Sequence, residues 1–202
     1  MSNVDELMQR TTAILLAGGE SSRMGRNKAL LDFRGQPLWR HVRDVLLKTG
    51  CKQVLVSGNL PDLRDGEQAT PDTVPGLGPL AGIASVIGAQ GDALSKDWLL
   101  VVPVDLPLLT PEALRWLCVQ GFDANSAHYA EHALPALFRN TILFRQTLGT
   151  TLRAANASDR SINALHAALG AHAIALPDDF APALTNTNTP LDWAAVGGIG
   201  PQ

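Results

Sequence analysis

Short runs of apolar residues recur along the chain and alternate with polar segments. The three clearest runs cover residues 12–17, 53–57 and 98–104. A continuous apolar run of this length is typical of a strand that is buried on both faces of a parallel sheet. Gly18 follows the first run and Asp105 follows the third. The pattern therefore predicts three buried parallel strands, two of which end at residues suited to binding.

Between these runs, apolar residues recur at steps of three and four, the period of a helix with one buried face. The clearest helix lies between Pro37, which favours a helix start, and Gly50, which favours a helix end. Further helices are predicted over 80–89, 110–120, 140–155 and 161–169, with a short one after Pro190. Further strands are predicted over 126–130, 134–139 and 171–176, and the first two are expected to pair with each other. Strands that alternate with helices indicate an α/β protein, with a mostly parallel central sheet in a three-layer, Rossmann-like arrangement.

No repeat, low-complexity tract or linker divides the chain. Its 202 residues suit one compact α/β domain. We expect this single domain to cover residues 11–196. Residues 1–10 are expected to be a disordered N-terminus and residues 197–202 a flexible tail.

Composition narrows the possible partners. The chain has 16 Lys and Arg against 19 Asp and Glu, a formal net charge of −3. Mild acidity argues against nucleic acid or an anionic membrane surface as a partner, since both require a basic face. The two cysteines do not form a disulfide or zinc pattern, no apolar run is long enough to span a membrane, and the N-terminus lacks a signal peptide. We therefore expect a cytoplasmic protein. Separately, we expect it to be a monomer.

The segment from Gly18 to Lys28 is a glycine-bounded polar loop that directly follows a predicted buried strand. It matches neither the Walker loop nor the dinucleotide fingerprint. Its glycines would allow backbone N–H groups to approach an anion, while Arg23 and Lys28 offer positive charge. We favour an anion-binding loop, and the alternative is a surface loop with incidental charges. For Arg34, Arg40 and Arg43 further along, a solvated helix face is the favoured interpretation.

Ligands of open α/β sheets bind beyond the carboxyl ends of the strands. The Gly18 loop and Asp105 both lie at such ends. Taken alone, Asp105 could also be a carboxylate that caps the turn before Pro107. The five histidines show no ligand spacing and are predicted to be surface or satisfied core side chains.

Residues 16–28 read Leu-Ala-Gly-Gly-Glu-Ser-Ser-Arg-Met-Gly-Arg-Asn-Lys. This segment resembles the signature of the molybdenum cofactor guanylyltransferase (MobA-like) family of nucleotidyltransferases. Further matches follow in the same order at residues 35–39, 78–82, 103–107 and 186–190. The resemblance covers the chain from residue 12 to about residue 193. One departure is Asn27, which stands where the family usually has Asp before the Lys.

The resemblance implies a nucleotidyltransferase version of the fold and a particular reaction. GMP would pass from GTP to the terminal phosphate of molybdopterin carrying molybdenum, with release of pyrophosphate and with Mg²⁺ as cofactor. Molybdopterin-loading proteins and a recipient apo-molybdoenzyme would be further partners. Since the nucleophile is a phosphate oxygen that is already anionic, no general base is needed, and the site must align two polyanions and offset their charge.

The resemblance also implies roles for individual residues. Arg23 and Lys28 would stabilise the triphosphate and the leaving pyrophosphate, and Asp105 would hold Mg²⁺, which prefers one or two carboxylates plus phosphate oxygens. The implied nucleotide-binding residues are Leu16, Ala17, Gly18, Gly19, Lys28, Ser57, Asp72, Gly78, Leu80, Gly82 and Asp105. Asn186 and Asn188 match the molybdopterin side. A solvated loop carboxylate for Asp72 and an Asx-turn for the two asparagines are the alternatives.

Guanine is favoured over cytosine because guanylyl members of the family have glycine at the position of Gly18, where cytidylyl relatives tend to have alanine. Two other hypotheses remain open. One is a related enzyme with another base or acceptor, such as a molybdopterin cytidylyltransferase or a sugar-phosphate nucleotidyltransferase. The other is a GTP-binding adaptor that delivers the cofactor without turnover.

Overall fold

The computed structural model describes residues 3–18, 27–73, 77–94, 97–187 and 190–197. The helices are α1 (Asn3–Gln9), α2 (Leu38–Thr49), α3 (Gly78–Gln90), α4 (Pro111–Gly121), α5 (Ile142–Leu152), α6 (Ile162–Leu169) and α7 (Pro190–Ala195). The strands are β1 (Thr11–Leu16), β2 (Asp32–Phe33), β3 (Gln36–Pro37), β4 (Gln53–Ser57), β5 (Trp98–Pro103), β6 (Ser126–Tyr129), β7 (Ala136–Arg139) and β8 (His172–Ile174). Short 3₁₀ helices cover Lys28–Leu30, Gly91–Ala93 and Asp178–Leu184.

Six strands form the central sheet, in the order β4-β1-β5-β7-β6-β8. β1 lies parallel to both β4 and β5, and β6 lies parallel to β8, whereas β7 runs antiparallel to both of its neighbours. The predicted α/β architecture with a mostly parallel central sheet is therefore confirmed. β2 and β3 form a separate two-stranded hairpin that the sequence pattern did not predict.

Alternate residues of β1 enter different hydrophobic clusters, which makes the sheet the middle of three layers. Ala13 and Leu15 join the cluster that contains buried residues of α1, α2 and α4. Ile14 and Leu16 join the cluster that contains buried residues of α3, α5 and α6. Every residue of β1 is buried, as expected for a parallel strand covered on both faces.

The N-terminal residues differ from the expected disorder, since residues 3–9 form α1. Met8 is fully buried in the core, and Asp5 forms an ion pair with Arg115 on α4. A short polar helix is marginal alone, and these tertiary contacts supply its stability. Of the predicted flexible tail, the structure describes only Gly197. None of the helices in the described ranges is long and apolar enough to cross a membrane.

Candidate functional site

The carboxyl ends of β1, β4 and β5 meet at one edge of the sheet, called here the rim. Leu16 is in register with Ser57 on one side and with Pro103 on the other. The backbone pairing continues past the strands, since the Ala17 N–H donates to the Ser57 carbonyl at 2.8 Å. Residues that follow the three strands are therefore held side by side at the rim.

Lys28 and Asp105 come together at the rim from distant parts of the sequence. The Lys28 Nζ lies 3.9 Å from the Asp105 Oδ2, and the two side chains are 16% and 26% exposed. Burial raises the pKa of the Asp105 carboxyl, and the positive charge of Lys28 opposes that shift. The pair is thus shielded from bulk water but still reachable by a ligand.

Asn27 fixes the start of the 3₁₀ helix that carries Lys28. Its Oδ1 accepts a hydrogen bond from the Ala29 N–H at 3.0 Å, which is a helix N-cap. Asparagine is therefore able to perform the local structural role here, although the family usually has Asp at this position.

Asp72 lies against the ends of β1 and β4. Its Oδ1 accepts a hydrogen bond from the Ser57 Oγ at 2.8 Å. A Cβ atom added to Gly18 would lie only 2.9 Å from the Asp72 Oδ2 and 3.4 Å from the Gly58 Cα. Glycine at position 18 therefore lets the Asp72 carboxylate approach the end of β1, and a side chain there would force this carboxylate to move.

The start of α3 completes this side of the rim. A Cβ atom added to Gly82 would lie 2.6 Å from the Ser57 Oγ and 3.0 Å from the Leu16 Cδ2, so α3 packs closely on β1 and β4. Gly78 begins the helix with a φ of +65°, a conformation that favours glycine. Leu80 is fully buried, so it packs beneath the rim, and its predicted contact with a nucleotide stays a prediction.

A segment from the end of the chain supports Asp105. The backbone N–H and the Oγ of Thr187 both donate to the Asp105 carbonyl, at 3.1 and 3.3 Å. Asn186, predicted to bind on the molybdopterin side, is exposed and directly precedes this contact. Asn188, Gly19 and Arg23 lie outside the described residues, and their roles stay predictions.

Arg40 does not lie on a solvated helix face, contrary to expectation. Its side chain is 8% exposed, and its Nε and Nη2 donate to the Glu67 carboxylate at 2.9 to 3.2 Å. The Nη1 of Arg43 contacts the same carboxylate at 2.5 Å. Sequence reasoning missed this network because Glu67 lies 27 residues beyond Arg40 in a turn-rich segment.

The rim suits magnesium held by one protein carboxylate and substrate phosphates. Among the described residues, no group of three or more His, Cys, Asp or Glu side chains could form an all-protein metal site. Mg²⁺ binds readily through one or two carboxylates together with phosphate oxygens. Asp105, partly exposed beside a lysine, provides a suitable carboxylate.

Glycines, a lysine and an aspartate at the carboxyl edge of a mostly parallel sheet are the groups expected for binding a nucleoside triphosphate. A family model described as the MobA-like NTP transferase domain matches residues 13–175. The chain belongs to this MobA-like NTP transferase family. The resemblance noted from the motifs and the predicted nucleotidyltransferase activity are both confirmed.

Individual relatives agree with this family. The chain is 38% identical over 188 residues to a molybdenum cofactor guanylyltransferase of Xanthomonas euvesicatoria, covering 93% of this chain and 95% of the relative. It is 38% identical over 132 residues to a probable molybdenum cofactor guanylyltransferase of Pelotomaculum thermopropionicum, covering 63% and 62%. The structure also matches the molybdopterin-guanine dinucleotide biosynthesis protein A of Archaeoglobus fulgidus with a TM-score of 0.67, at 19% identity over 92% of this chain and 96% of that one. This last likeness establishes the fold.

Proposed function

We propose that the protein transfers GMP from GTP to the terminal phosphate of molybdopterin carrying molybdenum, and releases pyrophosphate. The observation that carries this proposal is the Lys28–Asp105 pair at the rim, 3.9 Å apart and partly exposed, beside the glycine-lined end of β1. It is supported by the guanylyltransferase name of a relative that is 38% identical across almost the whole chain.

The residues at the rim would act by binding and by electrostatics. An acceptor phosphate oxygen is already an anion at neutral pH, so it attacks the α-phosphorus without a general base. Lys28 would stabilise negative charge on the triphosphate and on the departing pyrophosphate. The main chain at Gly18 would lie against the nucleotide, and Asp72 and Ser57 would fix that side of the pocket.

Asp105 would hold Mg²⁺. Such an ion, when bound, neutralises charge on the phosphate oxygens and helps to orient them. Lys28, at 3.9 Å from the same carboxylate, would keep Asp105 ionised and ready for the cation. The two residues therefore have complementary roles, one toward phosphate and the other toward metal.

The acceptor side would lie next to Asn186, since Thr187 binds the Asp105 carbonyl. Guanine would be the base. Molybdopterin-loading proteins and an apo-molybdoenzyme would be further partners. The protein would act in the cytoplasm as a monomer. Arg23 and Gly19 would contribute to the triphosphate site.

A reconstituted assay tests this function. Wild-type protein with GTP, Mg²⁺ and molybdenum-loaded molybdopterin should form the guanine dinucleotide cofactor and equimolar pyrophosphate. Lys28→Ala should reduce turnover by about 10²- to 10³-fold, whereas Lys48→Ala, an exposed lysine on α2, should not. A preference for CTP would favour the cytidylyl alternative. Tight GTP binding without pyrophosphate release would favour the adaptor.

A further inference from the structure

Asp72 is delivered to the rim by a segment with little apolar burial, residues 58–73, called here the Asp72 segment. It leaves the end of β4, and residues 61–66 are all exposed. Leu60 near its start is buried, and Ala69 near its end packs partly on the core. Apolar packing therefore secures the two ends of the segment and leaves its middle to be held by polar contacts.

The polar contacts in the middle centre on Glu67, which pairs with Arg40 and also with Arg43, both on α2. The Arg40 and Glu67 side chains are largely buried, at 8% and 10% exposure, and the Arg40 guanidinium binds the carboxylate through two nitrogens. The Arg40 Nη2 also donates to the Asp62 carbonyl at 2.8 Å, and the Arg64 N–H donates to Glu67 at 2.9 Å. Arg40 thus binds the Asp72 segment at two points, Asp62 and Glu67.

The side-chain hydrogen bond from Arg40 is the leading cause that lowers the pKa of Glu67 to about 2. The carboxylate is therefore charged over the whole working pH range. A shielded charge of this kind is costly unless it stays paired. The pair consequently resists opening and fixes Glu67 against α2.

From Glu67 the chain passes directly to the rim. Thr70 forms an isolated parallel bridge with Ser57, in which the Thr70 N–H donates to the Val56 carbonyl and the Gly58 N–H donates to the Thr70 carbonyl, both at 2.8 Å. Two residues later, Asp72 accepts the hydrogen bond from Ser57. Only four residues separate Glu67 from Asp72, so the fixed carboxylate limits where the bridge and Asp72 can lie.

We propose that the Arg40–Glu67 ion pair is a positioning element that sets the place of Asp72 in the nucleotide site. This inference rests on the proposed function in one respect, namely that the rim binds a nucleoside triphosphate. Arg40 touches no reacting atom and acts through Glu67, the bridge and Asp72. Its effect on the nucleotide therefore depends on the Asp72 carboxylate being present.

The first experiment measures the segment without any nucleotide. Amide hydrogen exchange of Arg40→Met should be at least about tenfold faster than wild type at Gly58 and Thr70, the two bridge amides. The matched control is Arg115→Met, which removes an arginine that is ion-paired to Asp5 on α1 and that contacts α2 only at the Thr49 carbonyl, at its end. Its bridge amides should exchange as in wild type. Unchanged exchange in Arg40→Met would overturn the proposal.

The second experiment is a double-mutant cycle for GTP binding. Arg40→Met should weaken GTP binding by about tenfold in the wild-type background, but by less than about twofold in the Asp72→Asn background, because residues that act as a unit are non-additive. Arg40→Lys, which keeps the charge but not the two-nitrogen geometry, should recover part of the loss. Equal effects of Arg40→Met in both backgrounds would show that Arg40 acts on general stability and would overturn the proposal.

The two experiments separate the two claims. If wild-type protein binds no nucleotide, the proposed function fails, while the exchange rates still decide whether Arg40 holds the bridge. If GTP binds but the bridge amides of Arg40→Met remain protected, the positioning role fails and the function stands.

Discussion

The two halves of the central sheet use polar groups in opposite ways. The half formed by β4, β1 and β5 ends in the rim, where Lys28 and Asp105 face one another at 3.9 Å, too far for a hydrogen bond. Beside the half formed by β7, β6 and β8 lies His166 of α6, a buried side chain whose two ring nitrogens both have hydrogen-bond partners. The partly exposed charges of Lys28 and Asp105 can bind a ligand. The buried ring of His166, whose hydrogen bonds are all made, stabilises the fold.

His166 illustrates the structural use. Its Nε2 lies 3.0 Å from the Ala133 carbonyl, which can only accept, so the Nε2–H donates. The neutral ring then accepts from the Ser126 hydroxyl at Nδ1, at 2.7 Å. The ring also stacks on Phe138 and on His128. Burial lowers the pKa of His166 to about 4, which keeps the ring neutral at physiological pH.

The largest expected difference between the halves is the effect of removing Asp105 on turnover. Asp105→Asn should reduce pyrophosphate release by at least about 10²-fold, since the carboxylate that would hold Mg²⁺ is lost. The Tm should not fall, because burial raises the pKa of this carboxyl and its charge does not stabilise the fold. Asp97→Asn, at the opposite end of the same strand region, is the control and should retain full turnover. A highly active Asp105→Asn variant would contradict this division of the sheet.

His166 should affect stability and not turnover. Between pH 6.5 and about 4 the unfolded chain binds a proton that the folded protein does not, so folding stability falls as pH falls through this range. The proton bound by the unfolded chain lowers the free energy of unfolding by about 3 kcal/mol across this range. Urea unfolding at pH 7 and pH 4.5 should therefore show a smaller pH effect in His166→Gln than in wild type. Reduced GTP turnover in this variant at pH 7 would show that the interior group reaches the rim.

A pair of glycines on α3 tests how closely the rim is packed. Gly82→Ala places a Cβ atom 2.6 Å from the Ser57 Oγ, and moving that hydroxyl breaks its hydrogen bond to Asp72. We expect a loss of about 1–3 kcal/mol in stability together with weaker GTP binding. Gly88→Ala meets no atom within 4 Å and should stabilise the protein by about 0.5–1 kcal/mol through helix propensity. Thermal unfolding of both variants provides the comparison, and similar Tm values would contradict the packing argument.

The smallest expected effect is at Asn27. Asn27→Asp retains an oxygen that can accept from the Ala29 N–H, so stability should change by less than about 0.5 kcal/mol, and turnover by less than about threefold. Asn27→Ala removes the cap and should cost about 1 kcal/mol. A large gain in turnover for Asn27→Asp would show that a carboxylate at this position also acts on Lys28.

The parallel half of the sheet could be predicted well from the sequence, since continuous apolar runs and helix end signals are local. β4 and α2 have the predicted bounds. The helix α1 could not be predicted, because its stability comes from burying Met8 and pairing Asp5 with a residue 110 positions away. The antiparallel pairing of β7 with β5 likewise depends on tertiary contacts that no local signal indicates.

The sequence motifs identified individual residues of the site but not the contacts between them. Lys28 and Asp105 each stand in a recognisable segment, and strand topology explains why they meet. No local signal indicates that Ser57 would bind Asp72, or that Arg40 would be buried against Glu67. Such contacts join loops across the fold, where spacing along the chain carries no information.

The two hydrogen bonds that Thr187 donates to the Asp105 carbonyl make the site depend on the last part of the chain. All six strands of the central sheet precede residue 187, so they are synthesised before the residue that donates these two hydrogen bonds. A chain truncated before Thr187 would contain all six strands and Asp105, but it would lack both hydrogen bonds to the turn that presents this carboxylate.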